Sequence, residues 1–253
     1  MIYSKFRHIR NCYDIVYSSN SYGARDIERS LYSKAPRVIV LGDSFMEGMG
    51  VERGERLSEI LENQLGIEHL NFGTSGHFGP VHEYLLYKHL AKKFNHEIII
   101  LGILPDNDFD DMDSQKRKDR YFPYFEGKYP DYQLKYSIRS LDKSSWKLGN
   151  PKDDRPLKHF LLNYTYTRNL YDYIGALLDN WSLGRNIRQG SYQKISSFVE
   201  YDSEKWDMMK YSYEKIIEEA ACKKILFFTI PRMKDIWWYK ENRTSPLGEK
   251  VKT

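Results

Sequence analysis

The sequence predicts an α/β protein of three layers, α/β/α, around a parallel, flavodoxin-like sheet. Three observations carry this. Apolar, largely β-branched runs recur at 38–41, 67–72, 98–103 and 225–230; helical periodicity fills much of the space between them; and the first three runs each end in a turn rich in Gly, Asp, Asn or Ser. Strands separated by helices are joined by right-handed crossovers into a parallel sheet, for which we expect the strand order 2-1-3-4. Such a sheet gathers its functional residues at the carboxyl edge.

Residues 1–35 read as a lead-in and 36–253 as one domain. The runs at 38–41, 98–103 and 225–230 are almost continuously apolar, the pattern of parallel strands covered on both faces, while 67–72 is weaker. Over 55–65, Leu57, Ile60, Leu61 and Leu65 form one helical stripe, and Gly66 follows at the stop position. Pro80 marks a helix start, after which Leu86, Leu90 and Phe94 repeat every four residues. Trp206, Met209, Tyr213, Ile216, Ile217 and Ala220 make a long stripe leading into the fourth strand. Between the third strand and that helix lies an insertion at about 109–203, too long for a simple crossover. Its part from 121 to 146, with Pro123 and Pro130, reads as irregular and placed over the active edge; a helix is expected over 156–180.

The three turns after strands hold the residues of chemical interest. Gly42-Asp43-Ser44 ends the first strand, Asn71-Phe72-Gly73-Thr74-Ser75-Gly76 the second, and Pro105-Asp106-Asn107-Asp108 the third. A serine hydroxyl is a weak nucleophile without a base and an oxyanion site. The oxyanion site can be assembled from backbone N–H groups near Ser44 and Gly76 with the Asn107 amide. Asp43, His77 and Asp108 flank these three and are the candidate substrate-binding residues. No base is evident.

These three turns resemble the SGNH (GDSL-type) hydrolase superfamily, with Ser44 in Gly-Asp-Ser, Gly76 as the second glycine of Asn-x-Gly-x-x-Gly, and Asn107 in Asn-Asp. The segment Asn20-Ser21-Tyr22-Gly23-Ala24-Arg25-Asp26 resembles a lead-in found in SGNH-like proteins of bacterial polysaccharide acylation. The resemblance implies a serine esterase or O-acyltransferase acting on an O-acyl ester, such as an O-acetyl carbohydrate, with Ser44, Gly76 and Asn107 catalytic. It also implies an Asp-x-x-His block near the C-terminus, a fifth strand and a closing helix. None of these is found: the last histidine is His159, and the chain stops soon after the fourth strand. The simplest account is a chain truncated at its C-terminus, with a pseudoenzyme or a base recruited from elsewhere as alternatives. The rival function is a non-catalytic carbohydrate-binding or polysaccharide-assembly module.

Other histidines fit the missing role less well. His77 follows Gly76 and reads as a substrate-facing or surface residue, and His82 and His89 fall on the next helix. His82-Glu83 opens like a zinc motif, but residue 86 is Leu where a second histidine is required. Gly48-x-Gly50 misses the dinucleotide pattern and no phosphate loop occurs, so no cofactor and no metal are expected. Trp237, Trp238 and Tyr239 could stack on a sugar but read more simply as part core and part interface. With 39 basic and 35 acidic residues interspersed, the charge is no nucleic-acid footprint, and Lys116-Arg117-Lys118 reads as a solvated loop. Cys12 and Cys222 fit neither a disulfide framework nor a metal site. No apolar run is long enough to span a membrane and 1–13 lack a secretory apolar core, so the chain as written is expected to be cytoplasmic, or periplasmic or anchored if a segment precedes it.

Overall fold

The computed structural model describes residues 3–10, 13–113, 122–137, 170, 174 and 201–252. The chain divides into two compact units, and the one made of Met1–Arg139 and Ser196–Thr253 carries every element named below. The helix expected over 156–180 falls in the other unit and, apart from residues 170 and 174, lies outside the described residues.

The lead-in is a built element. β1 (Lys5–Arg10) and β2 (Tyr13–Ser18) pair antiparallel, and Ile15 and Tyr17 turn inward. In the loop that follows, the Asn20 side chain accepts the backbone N–H of Tyr22 and Ala24, at 3.0 Å each, and donates to the Ile27 carbonyl. Asparagine suits such a turn because its side chain imitates a backbone hydrogen bond. The turn presents Arg25, Asp26 and Arg29, all buried, to the domain.

β3 (Arg37–Gly42), β4 (Glu68–Asn71) and β5 (Ile98–Ile103) follow; a hairpin of β6 (Phe122–Lys128) and β7 (Asp131–Ser137) leaves the sheet, and β8 (Lys224–Thr229) returns to it. The sheet strands are all parallel in the order β4-β3-β5-β8, which is the order expected from the crossover pattern. On one face, Ile39, Leu41, Ile99, Leu101 and Ile103 pack under α3 (Pro80–His89) and α5 (Ser203–Ala220), with Leu247 of α7 (Pro246–Lys252) completely buried beside them. Fully burying one such leucine contributes about 1.5–3 kcal/mol. On the other face, Val38, Val40 and Ile100 pack with Met46 and with Leu61 of α2 (Leu57–Leu65).

Four expectations need correction. The α2 stripe is largely outward, with Leu57, Ile60 and Leu65 exposed; the helix instead sets only Leu61 on the sheet and turns its polar side to the lead-in, where Glu62 pairs with Arg29 and Arg56 donates to the Arg25 carbonyl. On α3 the core face is Val81, Tyr84 and Tyr87 with Ala91 after it, while Leu86 and Leu90 are half-buried, because tyrosine rings bury well when only the hydroxyl needs a polar partner. β8 is an edge strand and is not covered on both faces: Leu226 is 55% exposed. The insertion starts later than 109, since Phe109 and Met112 belong to the core, and its part over 122–137 is a regular hairpin whose Phe125 and Tyr132 pack on Tyr211 of α5. Phe125 and Tyr132 share one face of this hairpin, since Tyr132 is paired with Gly127, two residues along from Phe125. Beyond β8 two helices follow, α6 (Met233–Asn242) and α7, and no fifth strand joins the sheet among the described residues. Trp237 and Tyr239 of α6 are exposed and Trp238 is half-buried.

Candidate active site

Ser44 is placed by a wedge. β3 ends at Gly42, which is paired in register with Gly102 of β5, and α1 (Ser44–Glu47) begins two residues later. Between the two glycines sits the buried Met46: a Cβ on Gly42 would fall 2.3 Å from Met46 Cγ, and one on Gly102 would fall 2.4 Å from Met46 Sδ. Only a strand end without side chains admits this thioether, so the glycine of Gly-Asp-Ser is a packing requirement as well as a turn. α1 is therefore pinned into the sheet by its own third residue.

Asp43 caps α1, accepting the Phe45 N–H at 2.9 Å. Its other oxygen accepts the Asn107 amide at 3.3 Å, from the start of α4 (Pro105–Asp111). The turns after β3 and β5 thus meet directly beside Ser44. The turn after β4 joins them through Asn71, whose amide donates to the Met46 carbonyl and the Ser58 hydroxyl, both at 2.9 Å, and whose oxygen accepts Gly73 N–H. Gly73 itself lies against α1, since a Cβ there would be 2.3 Å from the Glu47 nitrogen. The first glycine of Asn-x-Gly-x-x-Gly is needed for that approach. Gly76, by contrast, is exposed with φ +97° and has open space where a Cβ would go.

Residues outside the motifs brace the same loops. The Arg25 guanidinium donates to the carbonyls of Gly48 and Val51, at 2.5 and 2.7 Å, and stacks 3.8 Å above the Tyr17 ring. Asp26 accepts the Asn71 N–H at 3.2 Å. The lead-in thereby grips the loop after the serine and the loop after β4 together. Sequence reasoning noticed the segment only as a resemblance; the available signal was an arginine and an aspartate adjacent to a turn-forming asparagine. A cleft of about 150 Å³ lies between this hairpin and the loops, bordered by Phe6, Tyr17, Arg25, Glu47, Gly73 and Thr74. A larger apolar cavity, about 480 Å³ and walled by Trp206, Met209, Phe227 and Val251, holds none of the motif residues.

Beneath the site lies a knot of acids. Asp43 is held above the usual carboxylate range by burial, against the pull of its hydrogen bonds. Asp108, which accepts the Leu104 N–H at 2.8 Å, is raised far more, by burial and by Asp43 and Asp111, and so is Glu83 of α3, by burial and by Asp108 and Asp43. Neither Glu83 oxygen has a hydrogen-bond partner among the described residues, so burial favours its neutral form. Asp43 and Asp108, expected from the sequence to bind substrate, are 1% and 0% exposed and organise the turns from below. The His77 Nδ1 is 3.1 Å from Asp111 Oδ1, with Asp111 fully buried. His82 is pushed down to about 4 by burial and packs between Phe78 and Phe122, which makes it a structural residue. Among the described residues no group of three or more His, Cys, Asp or Glu could hold a metal ion. Nor is any helix among them long and apolar enough to cross a membrane.

No protein family matches the chain, and no curated protein does. Among solved structures the chain is similar to AlinE4, an SGNH-hydrolase family esterase, at 18% identity and a TM-score of 0.25 over 36% of this chain. The match spans 63% of that esterase, less than two thirds of its length.

Proposed function

We propose that this chain performs serine-dependent acyl chemistry of the SGNH type, as an esterase or mechanistically related O-acyltransferase acting on an O-acyl ester, with an O-acetyl carbohydrate as the substrate class. The observation that carries the reading is the bond between Asn107 and Asp43, which brings the turns after two separate strands to the side of Ser44. Ser44 Oγ would attack the ester carbonyl. The N–H groups of Ser44 and Gly76 and the second N–H of the Asn107 amide would take the negative oxygen, the amide being held in orientation by its other N–H on Asp43. A preoriented donor costs no reorganisation at the moment of reaction, and losing one typically costs about 2.7–4 kcal/mol, or roughly 10²–10³ in rate. Transfer to a sugar hydroxyl needs only an acceptor other than water.

Labelling with a serine-directed fluorophosphonate, in the presence of excess imidazole as an external base, tests this without knowledge of the substrate. Ser44 should be the modified residue, Ser44→Ala should abolish labelling, and Asn107→Ala should slow p-nitrophenyl acetate turnover by roughly 10²-fold or more. Labelling that survives Ser44→Ala would refute the assignment. An inert protein that binds acylated polysaccharide would instead favour the carbohydrate-binding module.

A further inference from the structure

We propose that His77 is the general base for Ser44 and that Asp111 is its positioning residue; the proposal rests on the Ser44 reading above. Beside a serine and oxyanion donors, acyl chemistry needs an imidazole held by a third group. Among the described residues, His77 is an imidazole held by a buried carboxyl. His77 directly follows Gly76, its ring is 41% exposed, and its Nδ1 meets the buried Asp111 carboxyl at 3.1 Å. A carboxylate only accepts, so Nδ1 donates and Nε2 carries the lone pair, the tautomer that a serine triad uses.

Two further features place this pair on the serine's side of the domain. Asp111 stands one helical turn after Asn107 on α4, and residues four apart share a helix face. Asn107 reaches the neighbour of Ser44 while Asp111 reaches His77, so one face of one helix serves both. The loop from Gly76 to Gly79 lies directly on that helix, for a Cβ on Gly79 would be only 3.0 Å from Asp111 Cβ. His77 also adopts φ +71°, left-handed backbone that costs a non-glycine residue on the order of 1 kcal/mol. Such outliers concentrate at functional sites, and here the outlier coincides with an exposed ring on a buried carboxyl. No hydrogen bond joins the Ser44 hydroxyl to a described residue, and catalytic contacts of this kind commonly tighten only around bound substrate.

In the acylation step His77 Nε2 takes the Ser44 Oγ proton as Oγ forms a bond to the acyl carbon, and the carbonyl π pair moves onto oxygen. The tetrahedral intermediate collapses by breaking the bond to the leaving alcohol oxygen, which receives the proton from His77. Water or a sugar hydroxyl then repeats the sequence in reverse and releases Ser44.

The test follows the rate of Ser44 labelling by fluorophosphonate from pH 5 to 9 in the full chain, with and without added imidazole. The wild-type rate should rise with pH without imidazole. His77→Asn tolerates the left-handed backbone and should lower the rate by roughly 10²-fold or more and flatten that rise; imidazole should restore labelling of His77→Ala. Asp111→Asn should slow labelling and displace the rise to lower pH, because the imidazolium loses its anionic neighbour. Of the described ionisable groups, Asp43 and Asp108 feel the charge of Asp111; both are buried, and neither is altered by these variants. Ser44 labelling that is equal in wild type and His77→Asn, or that in wild type requires imidazole, overturns the base assignment and leaves the Ser44 reading intact. Absence of labelling in wild type even with imidazole removes both. The wild-type pH profile decides the matter even where a variant fails to fold.

Discussion

Glu83 shows how a single residue can set the pH response of the whole site. It is 2% exposed, burial holds its carboxyl well above the ordinary glutamate range in the fold, and it would ionise near its ordinary value once unfolded. The folded pKa is raised, so over the window from the ordinary glutamate value up to the folded value the unfolded state has released its proton and the native state has not. Stability must fall as pH rises through that window, by at most about 1.4 kcal/mol per pH unit for one proton. Glu83→Gln keeps shape and neutrality and should flatten this slope: urea midpoints of the variant and wild type should agree near pH 4 and diverge in the variant's favour by pH 8. Equal slopes would mean that Glu83 is ionised in the fold. This residue was illegible in the sequence except as half of a failed zinc motif. Burial decides its protonation, and burial arises from α5 packing onto α3, over a hundred residues apart. The placement of Ser44 and Asn107 at strand ends was legible because strand-to-turn transitions mark them locally. The burial of Asp43 and Asp108 was not, because adjacency in sequence says nothing about which side of a turn faces solvent.

At the level of elements, α1 and its glycines make a matched set of obstacles. Gly73→Ala meets backbone at 2.3 Å, whereas Gly102→Ala meets the Met46 thioether at 2.4 Å. Backbone cannot yield without moving the helix, while a methionine side chain can rearrange. Gly73→Ala should therefore be destabilised by about 2–4 kcal/mol and Gly102→Ala by about 1–3 kcal/mol. Met46→Ala should rescue Gly102→Ala in part and Gly73→Ala hardly at all, as read from urea denaturation of the single and double variants. Equal rescue of both would contradict the wedge. The brace on the other side is Arg25: its loss takes the guanidinium from the Val51 carbonyl and from the Gly48 carbonyl, which keeps the Val51 N–H, and we expect about 1–3 kcal/mol of destabilisation and faster hydrogen exchange over 48–51. Helix and strand existence was readable from periodicity, but which face each helix buries was not. The α2 stripe pointed outward because Arg56 and Glu62 had stronger partners in the lead-in than its leucines had on the sheet.

For the molecule as a whole, burial is graded across the sheet from β3 to β8. Leu101 is 0% exposed and Leu226 is 55% exposed, although both lie in apolar strands and look equivalent in the sequence. Leu101→Ala should cost about 2–5 kcal/mol and Leu226→Thr less than about 0.5 kcal/mol, measured as shifts in the urea midpoint. Comparable losses would show that the face over β8 is covered in solution. Strand order was legible because crossover handedness and the alternation of elements leave few topologies. The edge was not, since an apolar run predicts burial without saying what supplies the cover.

The wedge of Met46 has a mechanical consequence. With Met46 held between two strand ends and the loop after it strapped from outside by Arg25, the turn that carries Ser44 is an anvil that cannot adjust to what lands on it. The opposing jaw is the stretch from Thr74 to Phe78, where a side chain on Gly76 would meet open space. Under the acyl chemistry proposed above, accommodation to differently shaped esters would be a property of that jaw. Changes there should retune selectivity while the strike point of the serine stays fixed.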